Sequence, residues 1–216
     1  MPLMNDTPTT PTHAGDRPDD SGARPGLLLQ ISGPSGVGKT TLIERLHATF
    51  DFVFSVSATT RPRSAKEVDG IDYFFLDQPT FKEWIAEDRF LEHAQVFGRD
   101  WYGTPRDTVE KQLAAGRIVL LDIDVQGARQ VKTHRPDAFG LFILPPSEAV
   151  LHKRLVDRKR ESPEVIERRF AEAKSEIAAA RSSDVYDALV VNDDLERATA
   201  ELHTLIERRL QTLRNG

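Results

Sequence analysis

From residue 26 onward, short apolar runs alternate with amphipathic stretches, the pattern of strands alternating with helices. Residues 27–31 form a strand-length apolar run that enters a glycine-rich turn, and helical spacing follows over 39–49. A second strand is predicted at 52–57, followed by the polar loop TTRPRSAKEVDG and a short extended segment at 73–76. Over 79–88, Phe81, Trp84 and Ile85 recur at helical spacing and predict a core-facing stripe. Residues 90–97 and 101–104 read as extended, separated by a turn at Gly98, and Pro105 opens a helix that Gly116 stops. The run RIVLLDI at 117–123 is almost continuously apolar, as in a strand buried on both faces. Another such strand is predicted at 139–144, halted by Pro145 and Pro146. A highly charged helical region spans 147–183 with a break near Ser162 and Pro163, and a last strand lies at 188–191. A helix over 194–213 closes the chain, with Leu195, Ala198, Leu202 and Leu205 on one face. This order predicts one α/β domain with a mostly parallel sheet flanked by helices.

Residues 1–25 contain little that is apolar, so a disordered leader is expected there. Its lack of an apolar run and its acidic residues speak against a secretion signal or a mitochondrial presequence. The remaining apolar runs are far shorter than the roughly 20 residues that cross a bilayer. A formal net charge of −5 argues against a general affinity for nucleic acid or anionic membrane. The chain has no cysteine, which excludes disulfides, thiolate catalysis and Cys-ligated zinc. The six histidines are scattered without metal-ligand spacing and read as surface or core filling. A cytoplasmic enzyme is the expectation.

The turn after the first strand carries the most specific chemistry. Gly33-Pro34-Ser35-Gly36-Val37-Gly38-Lys39-Thr40 fits G-x-x-x-x-G-K-[ST]. Its glycines let backbone N–H groups turn inward on a polyphosphate, Lys39 reaches the outer phosphates, and the Thr40 hydroxyl can ligate Mg²⁺. The phosphate could then pass to water, to a protein or to a second small molecule. Three features bear on that choice. Arg61 and Arg63 follow the second strand among Ser and Thr residues, where they either hold a second phosphate bidentately or form a solvated basic loop. Glu92 lies in an otherwise apolar extended run and either enters a pocket or faces solvent. In a pocket, one carboxylate could accept both donors of guanine's pairing edge. Finally, the basic segment around Arg154, Arg158, Arg168 and Arg169 could neutralise a transferring phosphate or be a solvated helix face.

Together these stretches resemble the guanylate kinase family over about residues 26–210. The signatures are GPSGVGKTT, SVSATTR with EVDGIDYFF, FLEHAQVFG with WYGT, ILPPS, VVND and, most telling, LDIDVQGARQV. The resemblance implies a P-loop nucleoside monophosphate kinase fold over 26–213, with a GMP-binding insertion at 54–105 and a helical lid at 149–185. It implies transfer of the γ-phosphate of ATP to GMP, or also dGMP. The rival readings are a non-catalytic binding module of the same fold and a kinase of another small phosphorylated acceptor. By the resemblance, residues 33–41, Thr41 included, and Asn192 meet ATP, and Thr40 with Asp122 serves Mg²⁺. Ser57, Glu92, Thr104 and Asp124 hold guanine, and Arg61, Tyr73 and Tyr102 the GMP phosphate. Lys39, Arg154, Arg158 and Arg169 meet the transferring group. The family's second phosphate arginine aligns with Ser64 here, so either Arg63 slides in or Arg61 and the tyrosines carry more of the load, with Lys66 a candidate replacement cation. The segment between Glu92 and Tyr102 is one residue longer than the family's usual spacing. Homo-oligomerisation stays open.

Overall fold

The computed structural model describes residues 25–96, 98–157 and 162–215. The expected leader, apart from Pro25, and Arg158 lie outside the described residues. The first strand, β1 (Leu27–Ser32), is buried at all six positions. It runs through the centre of a parallel sheet completed by β2 (Phe52–Phe54), β7 (Ile118–Asp122), β8 (Phe139–Leu144) and β9 (Ala188–Val191), in the order β2-β7-β1-β8-β9. Because a strand turns alternate residues to opposite faces, β1 feeds two cores. Leu27, Leu29 and Ile31 pack with Leu42, Ile43 and Leu46 of α1 (Lys39–His47) and with Ala198, Leu202 and Ile206 of α7 (Leu195–Asn215). On the other face, Leu28 joins Val119 and Leu121, covered by Val109 and Leu113 of α3 (Arg106–Ala114) and Val131 of α4 (Val125–His134). Farther along that face, Phe142 and Leu144 meet Ala180 of α6 (Pro163–Arg181), which follows α5 (Glu148–Asp157).

A second sheet stands apart from the first. It comprises β3 (Ala58–Thr59), β4 (Phe74–Phe75), β5 (Phe90–Val96) and β6 (Asp100–Pro105), in the order β4-β3-β6-β5. Its small core is Ala58, Phe81 and Phe90, with Phe81 carried by α2 (Gln78–Ala86) and stacked on Phe90 at 4.5 Å between ring centroids. Asp77 caps α2 by accepting the Thr80 N–H, and Trp84 and Ile85 complete the stripe expected from spacing.

Two elements differ from the sequence reading. The strand expected over 52–57 stops at Phe54, because the chain leaves the main sheet there and enters the second at Ala58. Helix α4 is absent from the sequence reading. Val125, Ala128 and Val131 recur every three residues and are buried with Gly127, so a short apolar stripe set among polar residues marks it in the sequence. A second local signal is its cap: Asp124 accepts the Gly127 N–H at 2.8 Å.

Candidate functional site

The phosphate loop joins the end of β1 to α1. Gly38 caps α1 at φ 96°, where a side chain is strained, and among the described residues no side chain caps the helix's first N–H groups. The first turn carries no acid, so those N–H groups and the positive end of the helix suit a bound anion. Thr40 and Thr41 are exposed at this end. Lys39 Nζ lies 2.6 Å from Asp122 Oδ1 at the end of β7, the strand beside β1.

The loop is braced from behind. The carbonyl of Val37 accepts Asn192 Nδ2 at 2.8 Å and Arg154 Nη1 at 3.1 Å, while Arg154 Nη2 donates to the Asn192 carbonyl at 3.0 Å. Asn192 and Arg154 thus meet the loop's backbone in this structure. A Cβ at Gly38 would fall 2.6 Å from Asn192 Nδ2. Gly38→Ala is therefore expected to evict that brace as well as strain the turn, which costs about 1–3 kcal/mol. The expected result is affinity for a nucleoside triphosphate lowered roughly tenfold or more, measured by calorimetry.

Beyond Asp122 opens a cavity of about 400 Å³ between the two sheets. Ser57, Tyr73, Glu92, Tyr102, Thr104, Asp122 and Asp124 all line it, so residues spread over the sequence converge on one space. Glu92 and Thr104 face each other across β5 and β6, and the Thr104 hydroxyl donates to Glu92 Oε1 at 2.6 Å. Burial, with a smaller push from Asp124, raises the Glu92 pKa above the usual carboxylate value, opposed by the Thr104 bond. With one acceptor position taken by Thr104, the rest of the carboxylate is available to a ligand with adjacent donors.

At the rim, Arg61 is gripped by Glu67. Arg61 Nη1 and Nη2 lie 3.1 and 2.6 Å from the two carboxylate oxygens, and Nη1 also donates to the Pro62 carbonyl at 2.8 Å. The Arg61 guanidinium holds the Glu67 carboxyl at about 2, aided by the Ser64 N–H. Arg61 packs 5.5 Å from the centre of the Tyr73 ring. Arg63 is spent on the loop itself, donating to the Glu67 carbonyl, and Lys66 is exposed. Arg169 lies on α6, partly exposed.

Glu67, the partner of Arg61, was not among the predicted site residues, although its place six residues on in a compact polar loop was a signal. Gln130 was not among them either, and His134, on the same face of α4, was expected to be filling. Gln130 bonds both backbone groups of His93, at 3.0 Å each, and His134 Nδ1 lies 2.9 Å from the Leu91 carbonyl. His134 is thus a strand-holding residue, rather than filling.

A parallel sheet with a triphosphate loop after its central strand, and a cavity for a second small molecule beyond that loop, defines the class of P-loop nucleoside monophosphate kinases. The sequence profile described as guanylate kinase matches residues 26–209. The guanylate kinase of Symbiobacterium thermophilum is 48% identical over 88% of this chain and 90% of its own. That of Thermus thermophilus is 46% identical over 85% of this chain and 83% of its own. Among solved structures, guanylate kinase from Anaplasma phagocytophilum superposes with a TM-score of 0.60 at 30% identity, covering 87% of each chain. The chain belongs to the guanylate kinase family. Among the described residues, no helix is long and apolar enough to cross a membrane.

Proposed function

We infer that the chain transfers the γ-phosphate of ATP to GMP, giving ADP and GDP, as family membership supports. The observation that carries the reading is Asp122. It lines the cavity that contains Glu92 and at the same time pairs with the phosphate-loop Lys39, so the two substrate spaces share a wall. A nucleotide whose base meets Glu92 and Thr104 would lay its phosphate toward Arg61, Tyr73 and Tyr102. Ser57 and Asp124 complete the base pocket. ATP would lie along residues 33–41, with Asn192 behind the loop.

The acceptor oxygen of GMP is already ionised at neutral pH, so no side chain has to remove a proton. Catalysis then reduces to aligning two anions, excluding water and neutralising charge. Lys39, Arg158 and Arg169 supply the positive charge, and Arg154 joins them on closure by leaving the Val37 and Asn192 carbonyls it bonds in this structure. The second sheet, within 54–105, and the helices within 149–185 are the parts expected to close on the substrates.

The donor set suits Mg²⁺. Thr40 and Asp122 are hard oxygen donors beside the phosphate loop. The described residues contain no group of three or more His, Cys, Asp or Glu placed to hold a metal. That matches an ion carried mainly by substrate phosphates and water. When bound, Mg²⁺ neutralises phosphate charge.

Measuring ADP formed from ATP with GMP, dGMP, AMP, UMP or no acceptor tests the reading. Turnover with GMP, or with GMP and dGMP, is the expected result. Turnover with AMP or UMP in preference would overturn the role given to Glu92. GMP binding without acceptor-dependent turnover would favour a binding module.

A further inference from the structure

Among the described residues, β5 is an edge strand of the second sheet, paired only with β6. Edge strands leave backbone groups without ladder partners. Here the outer groups on either side of Glu92 are taken up by side chains of α4. The Gln130 carboxamide imitates a strand: its Oε1 accepts the His93 N–H and its Nε2 donates to the His93 carbonyl, both at 3.0 Å. One turn on, His134 Nδ1 lies 2.9 Å from the carbonyls of Leu91 and Gln130. Both partners are acceptors, so Nδ1 carries a proton and donates. The other ring nitrogen lies 3.1 Å from Asp88 Oδ1, and Asp88 is also bonded by Arg106 at 2.7 Å, which fixes the ring plane.

The same face of α4 approaches the Glu92 carboxylate directly. A Cβ on Gly127 would lie 3.3 Å from Glu92 Oε2, so the glycine leaves just enough space for that oxygen. Gly127, Gln130 and His134 recur every three to four residues and share one side of the helix. Asp124, the cap of α4, lines the base cavity beside Glu92. One rigid helix therefore sets the distance between two walls of that cavity.

We propose that Gln130 and His134 are positioning residues for base selection, holding the backbone on either side of Glu92 so that its carboxylate meets both donors of the guanine pairing edge. This rests on the reading of Glu92 as the base contact. A carboxylate that must accept two adjacent donors tolerates little displacement, and a misplacement of about 1 Å is enough to cost large factors in rate.

The test compares GMP with IMP, which lacks the exocyclic amino group and so offers only one of the two donors. Gln130→Met keeps side-chain length and removes both bonds to His93. It is expected to raise KM for GMP roughly tenfold and to lower the GMP-to-IMP ratio of kcat/KM by a similar factor. KM for ATP stays at the wild-type value. Gln130→Glu keeps the bond from the His93 N–H but sets a carboxylate oxygen against the His93 carbonyl, so it gives a shift in the same direction and serves where the methionine variant does not fold. An unchanged ratio, or KM values for ATP and GMP that rise together, would overturn the positioning role. Glu92→Ala in the same assay separates the two layers. If the ratio survives in Glu92→Ala, the base contact itself is misassigned. If it collapses there but holds in the Gln130 variants, only the positioning role fails.

Discussion

Glu92→Ala is expected to lower kcat/KM for GMP by roughly two to four orders of magnitude while leaving KM for ATP within about twofold. Two guanine N–H groups would enter the cavity without an acceptor, and each unpaired buried donor costs about 1–3 kcal/mol. At about 1.4 kcal/mol per tenfold, the pair spans that range. Thr104 loses its acceptor too, but a hydroxyl can rotate to another. Steady-state kinetics with GMP and ATP varied separately checks the result, and normal kcat/KM for GMP would remove Glu92 from base selection.

The same residue links function to stability. Burial raises the Glu92 pKa in the folded protein, so between the ordinary and the raised value the folded chain holds more proton than the unfolded chain. Stability from this group is present at the acidic side and declines as pH rises through that window, the reverse of a salt-bridged carboxylate. Glu92→Gln should therefore raise the thermal midpoint at neutral pH while damaging GMP turnover, because the amide places a donor against guanine's donors. A thermal scan beside the kinetic assay reads both effects.

Lys39→Met is expected to lower kcat by roughly 10²–10³, the usual loss when one charge-stabilising donor is removed from a transition state. The side chain keeps its length and loses its charge. KM for GMP should stay within about twofold, since Lys39 is on the far side of Asp122 from Glu92 and absent from the residues lining the base cavity. Asp122 loses its ion-pair partner, but its side chain is 43% exposed and water can take up the charge, so the fold should persist. Product formation in a single turnover, together with GMP binding by calorimetry, distinguishes the outcomes. Loss of GMP binding as well would mean that the two substrate spaces are arranged otherwise.

The strands of the main sheet were legible because burial on both faces leaves a simple mark. LLLQIS, RIVLLDI and FGLFIL are too apolar for anything exposed, and their helices carry wide apolar stripes. The phosphate loop was legible because its chemistry fixes residue types at fixed spacing. Glu92 was legible as a charge in an apolar run, yet pattern alone left it between pocket and solvent. What settles its direction is Thr104, which faces it only through the pairing of β5 with β6. Helix α4 was marked by the spacing of Val125, Ala128 and Val131 and went unread, whereas the hydrogen bonds that Gln130 and His134 make to β5 have no linear signature. Arg63 shows the opposite limit. Its residue type suited a phosphate, but in the folded loop it donates to the carbonyl of Glu67, a use no linear pattern encodes.

The position of β1 also bears on how the protein comes to be made. Leu27 pairs with Ile118 and Leu29 with Phe139, so neither neighbour of β1 exists until the ribosome has passed the middle of the 216-residue chain. Until then a nascent polypeptide carries LLLQIS with both edges unpaired, a segment open to aggregation. The hairpin of β5 and β6 needs only its own short turn and can close within about 1–10 μs. Contacts between distant segments wait on slow loop closure. The second sheet is thus the natural early nucleus, and the phosphate-binding turn, suspended from β1, gains its shape only when synthesis has delivered the strands on either side.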